Sequence, residues 1–237
     1  MAKKNELTHL AIILDGNGRW AEKNGVPRVK GHEAGAERVM QIVKDLEDFL
    51  SIRYLTLYAF STENWNRSED EVSALMDLLC KFLDQHSEVL VENKIRLLVS
   101  GQREKMPLKC LERIDKVTAL TSKNYEKTVI FAINYGGRQE ITDAVRKIAE
   151  KVKSGSMSTD EICEKTIAEN LYHPDVPDPD LLVRTSGEVR ISNFLLWQIS
   201  YSELYFTDVL WPDFDKTELE KAIDSYYNRD RRFGGRK

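Results

Sequence analysis

The chain has 237 residues, with 35 basic and 39 acidic side chains for a net charge of −4; 41% of it is hydrophobic and 31% charged. That length suits one large α/β domain, here residues 1–237, with a core of its own. The composition excludes a disordered or fibrous chain, and the acidic balance argues against a general nucleic-acid binder while leaving room for a local basic pocket.

The first element is "HLAIIL", 9–14, a continuously apolar, β-branched run that reads as a buried strand. It is too short for a secretion signal or a membrane span, so the expectation is a cytoplasmic protein with at most peripheral contact to the inner face of a membrane. The loop that follows, "LDGNGRWAEKNG", contains Gly16-x-Gly18-x-x-Ala21. This fits the glycine pattern of dinucleotide-binding turns, but such a turn needs an acidic residue about twenty positions on, at the end of the next strand. Position 35 falls inside a helical pattern, the next strand ends at Phe60, and Asn24-Gly25 stops the loop helix early. A nicotinamide or flavin site is therefore not expected.

The alternative is a diphosphate at the amino end of that short helix. Asp15 would repel such an anion unless a cation lay between them, and magnesium, held by one or two carboxylates plus substrate phosphates, would remove the conflict. The plain alternative is Asp15 as a helix cap.

Val39, Met40, Ile42, Val43, Leu46, Phe49 and Leu50 form an apolar helical stripe. A strand is expected over 53–60, then a capping box of Ser68 and Glu71 opening a longer helix marked by Val72, Leu75, Leu79, Leu83 and Leu90. Strands at 94–100 and 128–134, helices at 108–122, 138–153 and 159–170, strands at 180–185 and 203–209, and a helix at 216–228 complete the order. Buried strands alternating with helices predict a mainly parallel sheet covered on both faces, with ligands beyond the carboxyl ends of the strands. Those ends carry Asp15–Trp20, "STENWNR" at 61–67, "NYGGR" at 134–138 and "RTSGEVRIS" at 184–192, all rich in phosphate-gripping donors. Cys80, Cys110 and Cys163 are far apart in sequence and read as reduced core residues of a cytosolic protein; the four histidines form no zinc pattern.

"HLAIILDGNGRWA", "GHEAGAERV", "LTLYAFSTENWNR", "NYGGR", "VRTSGEVRISNFLLWQISYSELYFTDVLWPDF" and the terminal "RRFGG" together resemble the cis-prenyltransferases, the Z-isoprenyl diphosphate synthases, along nearly the whole chain. The resemblance implies a six-stranded, mainly parallel sheet flanked by helices, with a hydrophobic tunnel, in a homodimer. It implies a magnesium-dependent transferase that condenses isopentenyl diphosphate repeatedly onto farnesyl diphosphate to give a long-chain, undecaprenyl-type lipid carrier precursor for cell-wall polysaccharide. By the same resemblance the allylic diphosphate sits on Gly16, Asn17, Gly18 and Arg19, with Arg28 and His32 closing over it. Asp15 helps position Mg2+ and assists the leaving diphosphate, and Glu203 adds a second metal carboxylate. Arg184, Arg190, Ile191 and Ser192 take isopentenyl diphosphate. Ser61, Thr62, Glu63, Asn64, Trp65 and Arg67 line the reacting centre, with Trp20 and Trp65 offering flat faces to the prenyl units.

Asn64 is the family's candidate for the proton step, yet a neutral amide is a poor base, and an orienting role suits it better. Ala59 and Ile133, with some of Val39, Val43, Leu75, Leu79 and Leu83, are candidate tunnel wall. Residues 228–237, with Arg232-x-Gly234, are expected to reach a partner subunit. Two positions depart from the family's usual "RTGGEHRIS": Ser186 stands for a glycine and Val189 for a histidine able to join a magnesium hydration network. The chain keeps Asp15, Arg19, Arg28 and Glu203, so an active enzyme rather than a silent subunit is expected.

Overall fold

The computed structural model describes residues 6–229. Its centre is one six-stranded sheet in which every pairing is parallel: β1 (His9–Ile13), β2 (Tyr54–Ser61), β3 (Ile95–Ser100), β4 (Lys127–Tyr135), β5 (Leu181–Arg184) and β6 (Glu203–Phe206), in the spatial order β3-β4-β2-β1-β5-β6. The helices are α1 (Asn17–Lys23), α2 (Arg28–Asp45), α3 (Glu69–Glu92), α4 (Leu108–Leu120), α5 (Gly137–Lys153), α6 (Glu164–Ala168) and α7 (Lys216–Tyr227).

β1, β4 and β5 bury almost every side chain, because both faces are covered. Leu10, Ile12, Leu55, Leu57, Val129 and Phe131 face the larger core, which takes in α2, α3, α4 and α7. Ala11, Ile13, Tyr58, Ala132 and Tyr135 face a smaller one closed by Phe194 and Leu195. After β1 the chain leaves toward β2; after β5 it leaves the other way, toward β6. The gap between the carboxyl ends of β1 and β5 is thus the switch point where open parallel sheets hold ligands.

Four local expectations need correction. The apolar stripe from Val39 captures only the second half of α2, which starts at Arg28. Its first turns are polar and glycine-rich because they lie on α1: a Cβ at Gly31 would stand 2.1 Å from the Asn17 carbonyl oxygen, and one at Gly35 2.4 Å from Asn17 Oδ1. The same helix ends at Asp45, and Leu50, read as part of the stripe, is 78% exposed. The helix expected at 159–170 is a 3-10 turn (Thr159–Glu161) and the five-residue α6, each opened by its own cap. Cys163 is that second cap and is exposed, so only Cys80 and Cys110 are core cysteines.

Candidate functional site

The strand-end loops converge and are tied to one another. Ile13 of β1 sits level with Arg184 of β5, which brings Asp15 beside the arginine: Arg184 Nη2 donates to Asp15 Oδ2 at 2.8 Å. The Thr185 hydroxyl donates to the Asp15 carbonyl at 2.6 Å, fixing the same loop. Asn193 ties three loops: its Nδ2 donates to Glu63 at 3.0 Å, its Oδ1 accepts from the Arg138 backbone at 2.9 Å, and its carbonyl accepts from Gly137 N–H at 2.7 Å. Tyr58 Oη, from β2, donates to the Ser192 carbonyl at 3.2 Å.

Arg184 is only 3% exposed and is gripped on three sides, by Asp15, the Arg190 carbonyl and the Ser192 hydroxyl at 2.7 Å. The question set by Asp15, an acid at the mouth of an anion loop, has a first answer inside the chain. Its charge is met by Arg184 and, at 3.7 Å, by Arg19. It is not the cap of α1: that position is Gly16, in the left-handed region at φ 114°, with no side-chain cap.

Arg19 Nη1 donates to the Ser186 carbonyl at 2.8 Å and Nη2 to Glu188 at 3.1 Å, while Arg190 also binds Glu188. One half-buried carboxylate thus bridges two arginines expected to serve different phosphates. On the opposite wall Glu71 gathers Arg67 (2.8 Å), Arg28 (3.4 Å) and His32 (3.5 Å). Burial would raise the Glu71 carboxyl, but Arg67, Arg28 and His32 hold it below the ordinary range. His32 is pushed below its usual value by burial and then by the charge of Arg67, so its imidazole is neutral near pH 7.

Glu71 was read from sequence as half of a capping box. Ser68 does cap α3, accepting from Glu71 N–H at 3.4 Å. The Glu71 carboxylate, however, turns to Arg28 and His32 of α2 and to Arg67, just before the cap of its own helix. Only tertiary proximity of α2 and α3 could have revealed that.

A cleft of about 550 Å³ opens between these groups, lined by Asp15, Asn17, His32, Ser61, Glu63, Asn64, Arg67, Arg184, Arg190 and Ser192. It shares Leu14, Asn17, His32, Ala59, Phe60 and Leu75 with a dry cavity of about 110 Å³. That cavity runs down between α2 and α3 over the sheet, past Val39, Leu79 and Ile133, to Phe82 and Phe131, which meet edge to face. Ala59 faces both spaces because the β2–β4 register shifts between Tyr58 and Phe60, an irregularity that re-aims one side chain. Val43 and Leu83 lie in the core and not on the cavity wall.

Asn64 caps its own 3-10 turn (Thr62–Asn66): its Oδ1 accepts from Ser61 N–H at 3.0 Å, which leaves the amide NH2 as a donor for the cleft. Thr62 Oγ1 donates to Glu63 at 3.1 Å. The Arg28 guanidinium lies over the Gly18 turn, 3.7 Å from where a Gly18 Cβ would stand.

Other expected residues are not gathered here. Trp20 turns away to donate to Asp213 at 2.7 Å. Trp65 lies against a separate cleft, its indole donating to Asn134 at 2.7 Å, and Asn134 in turn holds the Gln102 and Glu104 carbonyls. Ile191 packs on the smaller core. Glu203 starts β6 level with Leu181, at the far end of the strands from Asp15, and accepts from Arg229 of its own chain at 2.7 Å. Arg229 also binds the Leu204 carbonyl. Arg232 and Gly234, expected in a partner's site, lie outside the described residues. Val189 is exposed.

Asn17 Oδ1 and Arg184 Nε, of residues that line this cleft, are buried with no hydrogen-bond partner, and His32 Nε2 meets only the Glu71 carboxylate, at 3.5 Å. Buried polar atoms are rarely left unpaired, and a concentration of them marks a place built around a ligand. The cationic rim, and Arg184 Nε in particular, suits phosphate oxygens. Among the described residues no three acidic, histidine or cysteine side chains cluster. Asp15 could take part in holding a divalent cation such as Mg2+, which takes one or two carboxylates and completes its shell with water and substrate phosphate.

A family model described as "Putative undecaprenyl diphosphate synthase" matches residues 13–234. The isoprenyl transferase of Fusobacterium nucleatum subsp. nucleatum is 52% identical over 233 residues, 98% of each chain. The ditrans,polycis-undecaprenyl-diphosphate synthase ((2E,6E)-farnesyl-diphosphate specific) of Micrococcus luteus is 48% identical over 96% of this chain and 91% of its own. Among solved structures, lavandulyl diphosphate synthase from Lavandula x intermedia, in complex with dimethylallyl diphosphate, superposes with a TM-score of 0.92 at 37% identity, covering 97% of this chain and 98% of that one.

Proposed function

The chain belongs to the undecaprenyl diphosphate synthase family of isoprenyl transferases, and on that premise we propose that it condenses isopentenyl diphosphate repeatedly onto farnesyl diphosphate to build a long-chain, undecaprenyl-type product. The observation that carries this reading is the polar cleft, with cations on two walls, opening directly into a dry cavity: headgroups and tail have adjoining, chemically matched spaces.

Arg19 and Arg28 hold the allylic diphosphate over the Gly16–Arg19 turn, and Arg67 clamps it from the end of the Thr62–Asn66 turn. Arg184, Arg190 and Ser192 hold isopentenyl diphosphate. Glu188, placed between Arg19 and Arg190, gives way to phosphate oxygens as these charge-assisted bonds form. When the allylic carbon–oxygen bond breaks, charge gathers on the leaving diphosphate, and arginines fixed beforehand by Asp15 and Glu71 stabilise it without having to reorganise. Asn64 orients the isopentenyl unit through its NH2 while its proton passes to a diphosphate oxygen. Asp15, with phosphate oxygens, would hold a magnesium ion, which supplies further neutralisation of the leaving group.

Each added unit buries its methylenes at about 0.8 kcal/mol apiece, which favours feeding the tail into the cavity. At about 110 Å³ the cavity is far smaller than a long product, so elongation parts α2 from α3. A homodimer supplies what one chain does not bring together: Glu203, remote from its own Asp15, serves a partner's metal site. The edge position of β6 and the 75% exposure of Tyr201 just before it support that arrangement. Among the described residues no helix is long and apolar enough to cross a membrane, so delivery of product is read as a peripheral contact.

The test is incubation with radiolabelled isopentenyl diphosphate and farnesyl diphosphate, with and without chelator, followed by chromatography of the dephosphorylated lipids. A ladder ending in a long-chain product, abolished by chelation and restored by Mg2+, is expected. Absence of labelled lipid from the metal-replete reaction overturns the reading.

A further inference from the structure

We propose that Cys80 and Cys110 form a redox modification site, a buried dithiol that closes to a disulfide, ties α3 to α4 and restrains the wall of the dry cavity. Cys80 stands on α3 and Cys110 on α4, thirty residues apart, with their sulfurs 2.7 Å from each other. A disulfide bond length of about 2.05 Å therefore requires a closure of only about 0.7 Å. The Cys110 thiol also donates to the Met76 carbonyl, one turn before Cys80, at 3.4 Å, so the two helices meet at this pair.

A cleft of about 430 Å³, separate from the polar one, reaches between the two helices as far as Met76, Asp77, Pro107 and Lys109, within one turn of both cysteines. Cys80 keeps 6% exposure and Cys110 none, which makes Cys80 the attacking sulfur and Cys110 the resolving one. Burial, then the neighbouring thiol, pushes the Cys110 thiol up to about 12, which suits that order, since the thiolate is the nucleophile.

The oxidant is a hydroperoxide. The Cys80 thiolate attacks its terminal oxygen, the O–O bond breaks, and a protonated leaving oxygen departs, giving a sulfenic acid. The Cys110 sulfur then attacks the Cys80 sulfur, its proton leaving with the hydroxyl as water. With hydrogen peroxide the balance is two thiols and one peroxide to one disulfide and two waters. A thiol reductant reverses it.

The consequence comes from where α3 lies. The helix turns Leu75, Met76, Leu79 and Phe82 to the cavity and Cys80 to Cys110 of α4, so a covalent tie behind it opposes the parting of α2 and α3. The effect on turnover rests on the prenyl-transfer reading; closure of the dithiol does not.

The experiment uses the full chain with Cys163→Ser, which removes the exposed competing thiol. After hydrogen peroxide, alkylation in denaturant and intact-mass analysis should show a loss of two hydrogens with neither core cysteine alkylated. Digestion should yield a linked Cys80–Cys110 peptide, hydrogen exchange in α3 should slow, and isopentenyl incorporation should fall several-fold and recover with dithiothreitol. Cys80→Ser and, independently, Cys110→Ala should keep their activity through the same treatment. Full alkylation of both cysteines after peroxide overturns the proposal, as does a linked peptide with unchanged exchange in α3. An inactive reduced protein would sink the prenyl-transfer reading alone, because mass and exchange are measured without substrate.

Discussion

Arg184 and Asp15 lie 169 residues apart in sequence, yet Arg184 Nη2 donates to Asp15 Oδ2 at 2.8 Å across the switch point between β5 and β1. The pair gives the anion cleft an acid that costs little electrostatically while no substrate is present. It also pre-orients the arginine, whose Nε has no partner.

Asp15→Asn tests whether that acid acts by charge or by shape. The amide keeps an acceptor for Arg184, so thermal stability should change by only a few degrees. Turnover should fall on the order of a hundredfold or more, the scale of losing one preorganised electrostatic contact in a reacting site. Steady-state kinetics beside a thermal melt separate the two, and near-normal turnover would assign Asp15 a scaffold role.

Phe82 and Phe131 close the deep end of the dry cavity with ring centroids 5.4 Å apart. Phe82→Ala should shift the products toward longer chains, at a stability cost of about 3 kcal/mol for emptying a buried aromatic site. Chromatography of the dephosphorylated lipids reads the first and urea denaturation the second. An unchanged product distribution would place the floor elsewhere.

The Ser186 backbone is in the left-handed region at φ 80°, with the hydroxyl buried and unpartnered. Ser186→Gly should stabilise the protein by about 1 kcal/mol: relief of left-handed strain and of an unpaired hydroxyl exceeds the added flexibility of glycine in the unfolded chain. Ser186→Ala should recover less. Denaturation midpoints of the three proteins decide it.

His9 is buried on β1, its Nε2 2.7 Å from Thr56 Oγ1 and its Nδ1 2.6 Å from the Pro177 carbonyl. Burial, only partly opposed by Pro177 and Asp180, lowers it to about 4. A histidine that is neutral when folded and free to protonate when unfolded leaves stability intact above about pH 6.5 and removes it as pH falls toward 4. A difference of that size is worth on the order of 3 kcal/mol. His32, His86 and His173 are lowered by burial too and add to the same slope. Melting temperatures from pH 7 to pH 4 should drop steeply in the natural chain and less in His9→Gln; parallel curves would refute the assignment.

Periodicity and composition were enough to place all six strands, the parallel sheet and the loops at its carboxyl edge. Those features follow from side chains that must be buried on both faces and from turn residues adjacent in the chain. The polar loops that line the cleft were legible for the same reason, since each directly follows a strand in the chain. Tertiary structure decided what depends on residues distant in sequence. It turned the Glu71 carboxylate from its own helix end to Arg28, His32 and Arg67, and it met the charge of Asp15 with Arg184. It also set Glu203 at the far end of the strands from Asp15 and brought two scattered cysteines sulfur to sulfur. Local pattern reports which face an element hides; only packing says which partner waits on the other side.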